Sequence, residues 1–159
     1  MSIDSKDAQK IRVLLDKWGS TLYFVKMKER EIAWFNEMKT ALYDVIGAHT
    51  MSEDIVTHSS TSSGVERAVE QVEERLYEYH RAIQACHDAI INAMRMKNVI
   101  DEFVDEFDSD TRDILRMRYV DRHQWAFIAL KMSYDERTVR RKESAAVEKL
   151  SVNVRWNVL

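Results

Sequence analysis

Apolar side chains return at intervals of three and four over most of this chain, and that spacing predicts helices. Across residues 5–46 the series Ile11, Leu15, Trp18, Leu22, Val25, Ile32, Phe35, Leu42 and Ile46 draws one stripe along a long amphipathic helix. Gly19, followed by Ser20 and Thr21, is expected to kink or interrupt it, because glycine and short hydroxyl residues weaken a helix interior. Gly47 is the expected stop. Residues 48–64, "AHTMSEDIVTHSSTSSG", are rich in Ser and Thr, keep no period and read as a flexible connection.

The period resumes with Val69, Val72, Leu76, Tyr79, Ile83, Cys86, Ile90 and Ala93, and continues past Lys97 to Ile100, Val104 and Phe107. Alternating steps of three and four make this a heptad seam. A seam so narrow needs a partner, either the first helix folded back antiparallel or a second copy of the chain.

Near residue 108 the pattern changes. Asp108, Ser109 and Asp110 are N-cap candidates for a new helix, and three short helical patterns follow at 110–120, 124–131 and 135–150. They are joined by "DRH" and "MSY", connections of the length expected in a helix-turn-helix. Ile114, Leu115, Tyr119, Trp125, Ile128, Ala129, Met132, Val139, Ala146 and Leu150 are expected to close a small core, with Asp135 capping the last helix. The fold class expected is all-α: long antiparallel or intermolecular coiled-coil helices followed by a C-terminal helix-turn-helix. The domains would be a scaffold or oligomerisation region at 1–107 and a helix-turn-helix domain at 108–159.

Composition sharpens the picture. There is no proline and there are three glycines in 159 residues, while 45% of the chain is hydrophobic, so strands have little to be made from and a real core is expected. The single cysteine, Cys86, leaves no internal disulfide framework and fits a reducing compartment. The N-terminal residues lack the apolar core of a signal peptide and no apolar run is long enough to span a bilayer, so a cytoplasmic protein without a membrane partner is expected.

Charge divides the chain. The overall formal charge is −3, yet from residue 110 to the end eleven Lys and Arg face seven Asp and Glu, which points to a basic working end on an acidic scaffold. The densest part runs from Arg137 to Lys142. Glu136 and Glu143 are also placed to pair with neighbouring Arg and Lys along the helix.

Catalytic chemistry has no constellation to rest on. No glycine-rich phosphate loop, G-x-S-x-G elbow or H-E-x-x-H pair occurs, and His80 and His87, seven apart near Asp88, do not make a metal-ligand set. Trp125 reads as a core anchor, since Ile128 and Ala129 continue its face, and Cys86 reads as a small buried side chain. The expectation is a protein that is not an enzyme and uses no cofactor or metal.

The segment "ILRMRYVDRHQWAFIALKMSYDERTVRRKESAAVEKL" resembles region four of the sigma-70 family, through Leu115, Arg118 and Tyr119, then Ile128 and Ala129, Asp135 in the cap position, Val139, and Ala146, Val147 and Leu150. "HSSTSSG" followed by a long helix is similar to small phage proteins in which a coiled coil precedes such a domain, including late-gene regulators of the ArpU and RinA type. Two positions depart from the sigma pattern: Ser133 stands where the turn usually has glycine, and Glu136-Arg137 replaces Arg-Glu, so a −35 element is not the implied target. The other regions of a full sigma factor are not among these residues.

The resemblance implies a sequence-specific DNA-binding transcription regulator, phage or prophage encoded and working in a bacterial cytoplasm. A recognition helix presents its N-terminal half to base edges in the major groove. The residues expected at bases are Arg137, Thr138, Arg140 and Arg141, with Lys142 and Arg122 meeting phosphates and the helix N-terminus adding affinity for a phosphate. Double-stranded DNA, host RNA polymerase and a second copy of the chain, as a dimer, are the expected partners. The alternatives are a small terminase subunit for DNA packaging and an adaptor that binds RNA polymerase without DNA affinity.

Overall fold

Stripe and seam pair with each other within one chain. The computed structural model describes residues 5–52 and 62–153. Its elements are α1 (Ser5–Ser52), α2 (Ser62–Asp105), α3 (Ser109–Leu115), a π-helical segment (Arg116–Val120), α4 (Trp125–Met132) and α5 (Glu136–Asn153). Among the described residues there is no strand. No described helix is long and apolar enough to cross a membrane.

Two expectations about α1 are corrected. Gly19 does not interrupt the helix, and Gly47 does not end it; α1 continues through both to Ser52. Of the flexible connection expected at 48–64, residues 48–52 close α1 and 62–64 open α2, while 53–61 lie outside the described residues.

The described residues form two compact units, one of residues 5–24 with 91–153 and the other of residues 25–52 with 62–90. In the first, the beginning of α1 runs antiparallel to the end of α2, and the Trp18 indole Nε1 donates to Asp101 at 2.8 Å. Ile11, Leu15 and Trp18 are buried together with Ile100 and Val104. The stripe departs from its expected course after Trp18. Thr21, three residues on, is buried and donates its hydroxyl to the Lys17 carbonyl at 2.9 Å, whereas Leu22 is 58% exposed.

The small core expected from the C-terminal helices alone is divided in two. Ile114, Met117, Ile128, Ala129 and Val139 form one cluster, flanked by Trp125 and Met132. Leu115, Tyr119, Ala146 and Leu150 instead join the cluster made by α1 and α2. The cause is length: α5 has 18 residues, α3 and α4 have seven and eight, and the far half of α5 must find its cover elsewhere. The boundary expected near 108 therefore falls inside this unit.

Local signals act where they were read. Asp108 caps α3, accepting from the Thr111 amide at 3.2 Å. Asp135 caps α5, accepting from the Thr138 amide at 2.7 Å. Ser133 ends α4 at φ 57°, the left-handed conformation that glycine usually supplies, and the next amide, of Tyr134, donates back to the Ala129 carbonyl at 3.0 Å.

In the second unit α1 and α2 also run antiparallel. Glu31 meets Cys86 at 3.5 Å and Lys39 meets His80 at 3.2 Å. Trp34, Phe35 and Tyr79 cluster with ring centroids 5.0, 5.8 and 6.4 Å apart. Most seam residues here are half-buried, and Val69 is exposed.

Candidate functional site

α5 carries the basic run, and its cap sets how the run is presented. The Asp135 carboxylate takes both the amide and, at 2.7 Å, the hydroxyl of Thr138. These bonds favour the ionised acid and hold Asp135 below the usual carboxylate range. Two expectations change as a result. The α5 N-terminus is occupied by a carboxylate, so it is not an open seat for phosphate, and the Thr138 hydroxyl is spent on the cap.

The six expected site residues separate into three states. Arg137 and Arg141 are exposed, lie four apart on one helix face, and have no carboxylate partner among the described residues. Arg140 is paired with Glu136 at 2.6 Å and lies over the Trp125 ring at 5.3 Å. Lys142 is half-buried, 3.8 Å from Asp108 and 3.7 Å from Asp110, with its ammonium over the Tyr134 ring. The Tyr134 hydroxyl donates to Asp110, which raises its pKa. Asp108 sits below its ordinary range, through the hydroxyl of Thr111 first and the charge of Lys142 to a lesser extent. Lys142 is thus held by two acids and is less available to a phosphate than expected.

Arg122 is left-handed at φ 61° and turns back onto α1, donating to the Asp16 carboxylate at 2.8 Å and to its backbone carbonyl at 3.2 Å. It borders a cleft of about 460 Å³ that also takes in Arg12, Arg118, Trp125 and Arg140. Trp125 is the core anchor that its spacing predicts, and its ring also meets cations. It packs on the second core cluster, and two guanidiniums lie over its ring, Arg118 at 4.6 Å and Arg140 at 5.3 Å.

Arg118 and Arg12 were not among the expected site residues. Arg118 is half-buried, donates to the His123 carbonyl at 3.1 Å and has no carboxylate partner among the described residues. A partly desolvated cation in that state favours an arriving anion. Its signal was present in Leu115, Arg118 and Tyr119, which carried the resemblance without a site role for Arg118. Arg12 had no local signal: it lies 131 positions from its partner, Glu143.

Glu143 forms the floor of the cleft and is 2% exposed. It was expected to pair along α5, as Glu136 does with Arg140. Instead Arg12 grips it with two nitrogens, at 3.0 and 3.1 Å, and the Tyr119 hydroxyl donates to it at 2.7 Å. The Arg12 pKa is raised, chiefly by this hydrogen bonding. Burial pushes the Tyr119 phenol well above its ordinary range, and the bond to Glu143 pushes the same way. The buried acid ties α5 to α1 and to the π-helical segment, which fixes the angle at which the basic run is shown.

α4 presents a different surface. Phe127 is 45% and Leu130 80% exposed, and the His123 ring stacks on Phe127 at 4.3 Å. A family model described as "Protein of unknown function (DUF722)" matches residues 8–152. No curated protein and no solved structure matches the chain.

Proposed function

We propose that this chain, which belongs to the DUF722 family, is a sequence-specific DNA-binding transcription regulator of the phage late-gene kind. It would lay the N-terminal half of α5 in a major groove. The observation that carries this reading is the pairing state of the arginines. Among the described residues no acid pairs with Arg137 and Arg141, exposed on one face of α5, or with Arg118, a half-buried cation in the adjoining cleft. The first two are free to read base edges, where an arginine pairs bidentately with guanine. Arg118, with Arg140 and Arg122 beside it, is suited to phosphate, which positions the protein without specifying sequence. Self-association would bring two such helices to two half-sites.

A second reading is favoured by the exposed Phe127 and Leu130: an adaptor that docks α4 on RNA polymerase or another protein. The two are separated by capturing fragmented phage and bacterial DNA on the purified protein at near-physiological salt and sequencing what is retained. A narrow site upstream of a gene block is the expected result. On that site Arg137→Ala should weaken binding about tenfold or more and relax preference at one position. Arg118→Gln should weaken all sequences alike and lower the salt slope by about one unit. Enrichment at a packaging start would move the assignment to a small terminase subunit. If no fragment is enriched and reversing the charges of Arg137 and Arg141 leaves retention unchanged, DNA recognition is wrong and the α4 surface becomes the site.

A further inference from the structure

Between residues 25 and 90 Cys86 is the one buried residue among those described, so this antiparallel pair of helices lacks the core that two long helices need. The apolar surface to complete it is on α1. Met27, Trp34, Met38, Ala41 and Val45 recur at steps of seven, four, three and four, which makes a second stripe about 100° around the helix from the half-buried Val25, Ile32, Phe35, Leu42 and Ile46 that face α2. Met27 is 39% and Val45 50% exposed, and Trp34, whose ring also meets Phe35 and Tyr79, keeps 51% of its surface exposed. A helix with two apolar stripes at that angle is built for two neighbours, as in a four-helix bundle.

We infer that the missing neighbour is the same stripe on a second copy of this chain, packed antiparallel about a two-fold axis near residue 36. The stripe is self-complementary in that sense. Met27 meets Val45 of the second copy at each end, and Trp34 meets Met38 of the second copy on both sides of the axis, a thioether on an indole. Charge agrees with the direction. Arg30 and Asp44 are exposed along one flank of the stripe, and the antiparallel register sets each Arg30 beside Asp44 of the second copy, twice per dimer. Two Glu37 approach each other once, near the axis, so attraction outnumbers repulsion. The result is a bundle of four helices, two from each chain, whose interface does not depend on what α5 binds.

The test uses the full chain. Light scattering after size exclusion should give a dimer, and Trp34→Glu should raise its dissociation constant at least tenfold while helical circular dichroism is kept. Tyr77→Glu, on the exposed face of α2, should leave the dimer unchanged. Direction is read in a Cys86→Ser background: Met27→Cys and Val45→Cys chains should each resist oxidative cross-linking alone and form a mixed disulfide dimer when combined. Asp44→Arg should restore association lost in Arg30→Glu. A monomer, a dimer lost through Tyr77→Glu but not through Trp34→Glu, or disulfides formed by either cysteine variant alone would overturn the proposal.

Discussion

The carbonyl oxygen of Tyr119 occupies the space a β-carbon on residue 19 would need. Built on Gly19, that carbon falls 1.9 Å from the oxygen and 2.4 Å from the carbonyl carbon. The obstacle is backbone, so no rotamer change relieves it, and α1 reaches the π-helical segment only because residue 19 has no side chain.

Gly19→Ala gains up to about 1 kcal/mol of helix propensity and loses more by forcing two backbones apart. The net expected cost is about 1–3 kcal/mol, read as a lower urea midpoint with unchanged slope. An unchanged or higher midpoint would show that α1 does not approach Tyr119 so closely.

The Arg12, Glu143 and Tyr119 network should respond as a unit. Removing Arg12 strands a buried carboxylate, at an expected cost of about 3 kcal/mol or more, whereas Tyr119→Phe removes one hydrogen bond at about 1 kcal/mol. A double-mutant cycle on the pair should give coupling of about 0.5 kcal/mol or more. Strict additivity would mean that Glu143 holds the two independently.

Tyr119 also predicts an alkaline limit to stability. Its folded pKa is raised by burial, so the folded chain keeps the proton that the unfolded chain releases above the ordinary phenol value of about 10. This contribution is complete below that pH and is lost as pH rises beyond it. Unfolding midpoints measured from pH 8 to 11 should fall more steeply for the parent protein than for Tyr119→Phe; parallel curves would refute the assignment.

Asp16 restrains Arg122, one of the residues assigned to phosphate. Asp16→Asn should tighten binding to the captured DNA and steepen its salt slope by about 0.9 if one further phosphate contact forms. A slope equal to the parent's would mean that Arg122 does not reach the backbone even when released.

Patterns carried by neighbouring residues were legible in advance. The capping roles of Asp108 and Asp135, the turn at Ser133 and the seam through Leu76, Ile83 and Ile100 depend on spacings of a few positions, and all stand in the structure. Leu22 and Thr21 were harder, because steps of three and four from Trp18 fit a helical stripe equally well and only the opposing surface chooses. Of the candidate site, the exposed Arg137 and Arg141 were visible as a basic run. The acids that claim Arg122 and Lys142 were not, since they come from α1 and from the start of α3.

By itself the sequence determined that this protein is helical, where most helices begin and which face of each is apolar, because those properties follow from local propensity, capping and period. Only the tertiary structure decided what each face meets. Arg12 and Glu143, and Gly19 and Tyr119, are brought together by packing across long stretches of chain. Periodicity constrains the direction in which a side chain points; it carries no information about the distance to a residue a hundred positions away.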